Sequence, residues 1–357
     1  MLHRKLKLGW VFILVLTLSL FTAGSAMVPP IPNNEVVNTP NIKSNMLIPG
    51  GIPIGIYMDT NGVMVIDTEE IQGENGKIYH PSTNKVKSGD YIIGLNSVEV
   101  DTKGQLVSEL EDITNKKVVL TIRRNNEIFQ VSITPVKDQN GEYKLGIWVR
   151  DNLQGLGTLT YIDTSSQFGA LGHGIHDIDT NQLLQINSGE LFQASINSVL
   201  KGTKGNPGGL EGVIVYNPSN RIGTIAGNRE TGIYGQVYNI KDLDIDMQPL
   251  EVATVNQIQT GPATIRCTIK NKVEEYDIQI LNVNKHEKEL NKGLVVQVTD
   301  SRLITITGGI VQGMSGSPII QNGRIVGAIT HVFVNDPTRG YGIFIENMLK
   351  TADEVIE

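Results

Sequence analysis

The residues best suited to chemistry lie near the C-terminus, in Gly313-Met314-Ser315-Gly316-Ser317-Pro318. A serine between glycines in a tight turn carries an exposed Oγ. The backbone N–H groups of Gly313 and Ser315 can converge on one point beside it, which makes an oxyanion hole. Loss of one donor from such a hole costs roughly 3–4 kcal/mol of barrier. Pro318 closes the turn ahead of a hairpin built on Gln321-Asn322-Gly323. A serine nucleophile needs a base. Of the six histidines, His3 sits in a basic N-terminal flank, His80 in the first folded unit, and His286 in a charged turn. His331 follows a strand and reads as a wall residue. That leaves Gly169-Ala170-Leu171-Gly172-His173-Gly174-Ile175-His176, approached by a strand over residues 157–162. His173 follows a small residue and is the expected base. A histidine pair three apart could also bind a metal, but no Glu follows at a metalloprotease spacing, so no metal and no cofactor are assigned. Spacing does not select the orienting acid. Asp177 and Asp179 follow His173 too closely, Asp242, Asp244 and Asp246 come next, and Asp300 stands 15 residues before Ser315.

These residues need a scaffold, and the composition bounds it. A chain of 357 residues exceeds what one hydrophobic core usually holds, so two or more domains are expected. Hydrophobic residues at 39% and charged ones at 19% argue for a globular protein over a disordered one. The 38 glycines, set among many β-branched residues, imply short strands joined by tight turns. A single cysteine, Cys267, excludes an internal disulfide and a cysteine-based zinc cluster. The net charge of −7 leaves no electrostatic footprint for nucleic acid.

The N-terminus addresses the compartment. His3, Arg4, Lys5 and Lys7 precede an uncharged run over residues 8–21, followed by Thr22-Ala23-Gly24-Ser25-Ala26. This is the build of an export signal. Counted on to Val28, the run has 21 uncharged residues, enough to span a bilayer. Residues 1–26 therefore fit both a cleaved signal peptide ending at Ala26 and a retained membrane anchor. Either one places the remainder across the cell membrane. Of 30 basic residues, 27 remain without Arg4, Lys5 and Lys7, so the body carries about −10 against its 37 acidic groups. Residues 27–45 are polar and proline-containing, a linker.

Residues 46–136 carry short β-type runs at 54–58, 63–66, 91–95 and 118–123. Asn125-Asn126 then turns the chain into a further run at 128–133. Leu106, Val107, Leu110 and Ile113 have helical spacing. The segment Val86-Lys87-Ser88-Gly89-Asp90-Tyr91-Ile92-Ile93-Gly94-Leu95-Asn96 resembles the Gly-Asp-Ile-Ile core of PDZ domains. Pro49-Gly50-Gly51-Ile52-Pro53-Ile54-Gly55-Ile56 resembles the loop that opens the PDZ peptide groove. The resemblance implies a small PDZ-like α+β domain over 46–136. Its peptide-binding loop is expected at Gly50, Gly51, Ile52, Ile54 and Gly55, where an extended peptide or the protein's own chain would add to a sheet edge.

The nucleophile turn resembles the Gly-x-Ser-Gly-Gly-Pro turn of trypsin-like serine proteases. Here Ser317 takes the place of the second glycine, and Met314 that of the Asp which secures the activated N-terminus in trypsin. A glycine-bounded strand near residues 335–343 follows, and the spacing of Ile345, Met348 and Leu349 predicts a closing C-terminal helix. Residues 145–357 are thus expected to form a trypsin-like double β-barrel peptidase domain, and the whole chain to be mainly β. Gly309 stands six residues before Ser315, where trypsin carries its specificity acid, so a basic residue before the cleaved bond is not expected.

Taken together, the PDZ-like unit, Leu171-Gly172-His173-Gly174, Thr299-Asp300 and the Ser315 turn resemble the stage IV sporulation protein B family of serine peptidases. That resemblance implies a triad of His173, Asp300 and Ser315. It also implies a membrane-linked enzyme working between the forespore and mother-cell membranes. The enzyme would cleave itself, then an inhibitory subunit of an intramembrane metalloprotease, letting a late mother-cell sigma factor mature. Two other readings stand beside it. One is a non-catalytic PDZ scaffold with an inactive peptidase barrel; an intact Ser and His argue against it. The other is a quality-control protease with a PDZ domain, but those usually carry the PDZ unit after the barrel, and here it comes before.

Overall fold

The computed structural model describes residues 45–356, apart from 112, 114, 115, 126 and 271. The expected signal or anchor over residues 1–26 lies outside the described residues. Among the described residues no helix is long and apolar enough to cross a membrane. The chain is mainly β and ends in a helix, α3 (Ile345–Ile356).

Two strand ladders each return to their own first strand. In the first, Pro53–Thr68 pairs with Ile147–Ile162, which pairs with Gln167–Ala170 and then Gly232–Val237. Gly232–Val237 pairs with Arg221–Arg229, that strand with Ile186–Leu200, and Ile186–Leu200 again with Pro53–Thr68. All these pairs are antiparallel, so the ring is a closed six-stranded barrel without a free edge at its seam. Ile54, Ile56, Met58, Leu159, Phe168, Leu191, Ile225 and Ile233 fill it. They are there because alternate residues of a strand point to one face.

The second ring runs through Gly261–Thr268, Val273–Val283, Leu294–Val298, Asp336–Phe344, Arg324–Phe333 and Pro318–Gln321, then back to Gly261–Thr268. Its interior holds Ile265, Ile278, Val296, Met314, Ile319 and Ile329. Met46–Pro49 pairs with Ile162 of the first ring and with Leu250–Val252 beside the second. Helix α3 buries Ile345, Met348 and Ala352 against Leu47, Tyr161 and Tyr234, stapling the rings together. The spacing of its apolar residues gives one buried stripe, as expected for such a helix.

The small unit is cut differently from the expected boundaries. Residues 46–60 belong to the first barrel, and only the far half of Pro53–Thr68 enters the small unit. There it pairs with Tyr91–Leu95, which pairs with Val118–Arg124 and so with Glu127–Ile133. Val63, Val65, Ile92, Leu95, Leu120, Ile122 and Ile133 form the core, with Leu106 of helix α1 (Lys103–Glu111) packed on it. Leu145, Ile147 and Val149 complete this core from beyond residue 136. The physical reason is length: 16 residues of strand rise about 53 Å, enough to cross from one core to another.

Candidate active site

The segment that presents His173 leaves the strand Gln167–Ala170 through two residues in left-handed backbone, Leu171 (φ 70°) and Gly172 (φ 71°). A leucine there is unusual and stores strain. Gly172 is required on a second count. A Cβ at that position would stand 3.0 Å from the methyls of Ile343 and Thr330, because the segment lies against the second barrel.

The Ser315 turn comes from the other ring. Gly313 (φ 95°) and Gly316 (φ 97°) bend it, and Ser317 N–H donates to the Met314 carbonyl at 3.0 Å. Met314 is fully buried and faces the second core. One residue of the first barrel joins the two segments. Thr158 N–H donates to the Ser315 carbonyl (3.2 Å), its Oγ1 donates to the Gly313 carbonyl (2.7 Å), and its own carbonyl accepts from Leu171 N–H (3.2 Å). A Cβ at Gly316 would lie 2.2 Å from the Thr158 carbonyl oxygen and 2.6 Å from Leu171 N. Gly316 is therefore a point of close contact between the two rings. Sequence reasoning passed over Thr158, since a threonine in a strand carries no chemical signal.

Among the described residues the Gly313 and Ser315 N–H groups, expected as the oxyanion hole, have no hydrogen-bond partner. Two unpaired backbone donors side by side are the arrangement such a hole needs. Ser315 Oγ donates to the Thr330 carbonyl at 2.7 Å. The next residue, His331, stacks on His173 with ring centroids 4.8 Å apart and planes inclined by 35°. So the wall residue of the sequence reading is a direct neighbour of the expected base. His173 is half-buried, and its Nδ1 lies 2.8 Å from the Gly174 carbonyl. Desolvation pushes its pKa below the usual histidine value, against the upward pull of that carbonyl. The second histidine of the pair, His176, shares the carbonyl at 3.3 Å and meets Glu230 through Nε2 at 3.4 Å.

Asp300 is elsewhere. It is the N-cap of helix α2 (Ser301–Thr307), and both its carboxylate oxygens are engaged. Oδ1 accepts from Arg302 N–H (2.8 Å) and Nε (3.1 Å), and Oδ2 from the second guanidinium nitrogen (2.8 Å) and from Asp277 N–H (3.3 Å). Arg302 holds its pKa at about 2, below the usual carboxylate range. The expected contact from Asp300 to His173 is not made. A Thr-Asp-Ser-Arg run is a helix start as readily as a triad member, and the capping preference of Asp takes it here. Asp177 is also committed, to Arg150 and to the N–H groups of Asp179 and Thr180.

The expected peptide-binding loop needs a similar correction. Gly50 and Gly51 donate to the carbonyls of Thr160 and Leu159, and Ile54 pairs with Gly157 on one side and Gln193 on the other. Ile52, Ile54 and Gly55 lie in the first barrel, with no edge left for a peptide. The glycines are there for close packing: a Cβ at Gly50 would stand 2.3 Å from the Leu159 carbonyl oxygen. The open apolar groove of the small unit is between α1 and the segment 143–149, lined by Leu106, Val107, Leu110, Leu145, Ile147 and Val149.

Residues 141–349 match the family model described as SpoIVB peptidase S55. That is more than half of the chain, and the chain belongs to this family; it is a serine peptidase, with proteins as its substrates. Among curated proteins there is no match. Three solved structures are similar at low identity. The HtrA-type protease AlgW with tripeptide is 13% identical, over 57% of this chain and 56% of that one, with a TM-score of 0.35. A protease from M. tuberculosis in its active form is 13% identical, over 57% and 74%, with a TM-score of 0.32. The PDZ domain of an SdrC-like protein from Listeria monocytogenes is 15% identical, over 25% and 87%, with a TM-score of 0.21.

Proposed function

We propose that this peptidase is an exported endopeptidase of the trypsin-like double-barrel type. Ser315 is its nucleophile, His173 its base, and the N–H groups of Gly313 and Ser315 its oxyanion hole. The observation that carries this reading is the free donor pair on the Ser315 turn, tied through Thr158 to the segment that bears His173. In the reaction Ser315 Oγ leaves the Thr330 carbonyl, rotates toward His173 and attacks the peptide carbonyl as His173 Nε2 takes its proton. The tetrahedral oxyanion then sits on the two free N–H groups. His173 returns the proton to the leaving amine, and water repeats the sequence on the acyl-enzyme.

The small unit is a PDZ-like domain that takes an extended stretch of the protein substrate. Residues Ile147 to Arg150 pair with Pro53–Thr68 along one edge only, and α1 faces the groove on the other. A peptide added there gains main-chain hydrogen bonds and an apolar lining. The family resemblance supports a sporulation role: self-cleavage, then cleavage of an inhibitory subunit of an intramembrane metalloprotease, in the space between the two membranes. The export signal over residues 1–26 agrees with that location.

The test is acylation of the purified protein by a fluorophosphonate probe, read by mass spectrometry. Labelling at Ser315 that depends on His173 is expected. A folded protein that takes no label would favour the non-catalytic scaffold.

A further inference from the structure

Strands Arg324–Phe333 and Asp336–Phe344 pair antiparallel, with Ile329 opposite Gly342 and Val332 opposite Gly340. Three residue steps on the first strand thus face two on the second, which makes a β-bulge at Thr330 and His331. A bulge re-aims the groups on its strand, and such bulges recur beside active sites. Here both bulged residues are used. The Thr330 carbonyl accepts from Ser315 Oγ at 2.7 Å, and the ring of His331 lies on that of His173. Consecutive residues of one strand therefore touch the nucleophile and the base of the peptidase reading. The bulge is held from two sides. Thr330 Oγ1 donates to the Asn291 carbonyl at 2.7 Å, and a Cβ on Gly340 would stand 2.6 Å from the His331 carbonyl oxygen, so the neighbouring strand closes against it.

His331 works through its ring face. Among the described residues neither of its ring nitrogens makes a hydrogen bond, while its centroid lies 4.8 Å from that of His173. That is the spacing of a packed aromatic pair, and it restricts the tilt of both rings and covers one face of each from water. Desolvation first, then His173 and Lys292, hold the pKa of His331 at about 4; Glu289 pulls it up and His176 down. Lys292 and Glu289 are themselves an ion pair, and His176 meets Glu230. His331 is thus neutral over the range in which a histidine base works, and it sets no charge against an imidazolium forming on His173.

We infer, within the peptidase reading above, that His331 is a positioning residue for the base. Its ring shelters His173 from water and holds it in the orientation that reaches Ser315, while the Thr330 carbonyl one residue earlier holds the serine hydroxyl. One bulge of the second barrel thereby sets both reacting side chains, although His173 is carried by the first.

The test is the rate at which a fluorophosphonate acylates Ser315 in the purified protein, followed across pH for the parent, His331→Ala and His331→Phe. His331→Ala removes the stack. It should slow acylation by about tenfold, the worth of one aromatic pair, and move the acid midpoint up toward the ordinary histidine value of about 6.5 as water reaches the ring. His331→Phe restores a ring face without a titratable group. It should recover the rate to within about threefold of the parent and return the midpoint to its lower value. A loss of stability alone would not shift the midpoint. Parental rate and midpoint in His331→Ala would overturn the inference. So would a His331→Phe as slow as His331→Ala, since the residue would then act through its ring nitrogens. Should His331→Ala fail to fold, His331→Gln also lacks an aromatic face and is judged by the same two readouts. Parental labelling of His173→Ala, by contrast, would end the peptidase reading rather than this inference.

Discussion

Two glycine-rich segments of this protein look alike on paper and behave as opposites. Around Gly50 and Gly51 the backbone groups are consumed by strands on either side, and the missing side chains let neighbouring backbone approach. Around Gly313 and Gly316 the glycines carry positive φ, and two N–H groups are left free beside a hydroxyl. Glycine offers both services: room for a neighbour, and a bend other residues avoid. The segment at residues 50–55 uses both, with Gly51 at φ 95°, yet its backbone groups are paired and it is a piece of barrel wall. The segment at residues 313–316 uses both as well, but leaves the Gly313 and Ser315 N–H groups without a partner among the described residues, and it is the turn proposed as catalytic.

Four predictions press on that contrast, from the largest effect to the smallest. Ser315→Ala should reduce turnover by about 10⁶ with the melting temperature close to the parent's. Residual self-processing or turnover above that level would break the assignment of the open turn as the catalytic one. Ile54→Asp should fail in the reverse way. A charge at a fully buried position of the first barrel should cost more than about 4 kcal/mol and abolish the folded state. A soluble, folded Ile54→Asp that had merely lost peptide binding would mean the segment is a groove after all.

Smaller changes sharpen the picture. Thr158→Val keeps both backbone hydrogen bonds but removes the hydroxyl from the Gly313 carbonyl. It should cost about 1 kcal/mol in chemical denaturation and slow acylation by less than about 10², because the hole shifts without disappearing. An unchanged rate would show that the join between the rings does not set the geometry of the hole. The smallest effect concerns pH. Burial lowers the His173 pKa, and the base must be neutral to act. The acylation rate should therefore persist below pH 6.5 and fall only as acid reaches the lowered value. A midpoint above pH 6.5 would contradict the desolvation of the ring. Asp300 works in the same direction on stability. Its pKa of about 2 means the folded state binds fewer protons than the unfolded chain. Its contribution is present above the ordinary carboxylate value near 3.8 and is lost as pH falls toward 2.

The sequence by itself determined the chemistry and the class of scaffold. The Ser315 turn with its two donors, His173 after a small residue, and the periodicity of Ile345, Met348 and Leu349 are local patterns, and local physics suffices to interpret them. Tertiary structure alone decided which groups were free to use these patterns. Asp300 sits in a run that serves a triad or a helix cap equally well, and only the tertiary structure brings Asp277 to its carboxylate beside Arg302 at the start of the helix. Gly50 to Gly55 could open a groove or line a barrel. Pairing on both edges of Ile54 decides that, and it involves strands some 100 and 140 residues away. The role of Thr158 was invisible for the same reason. Its three hydrogen bonds reach Leu171, Gly313 and Ser315, and contacts so distant in the chain leave no mark on composition, spacing or period.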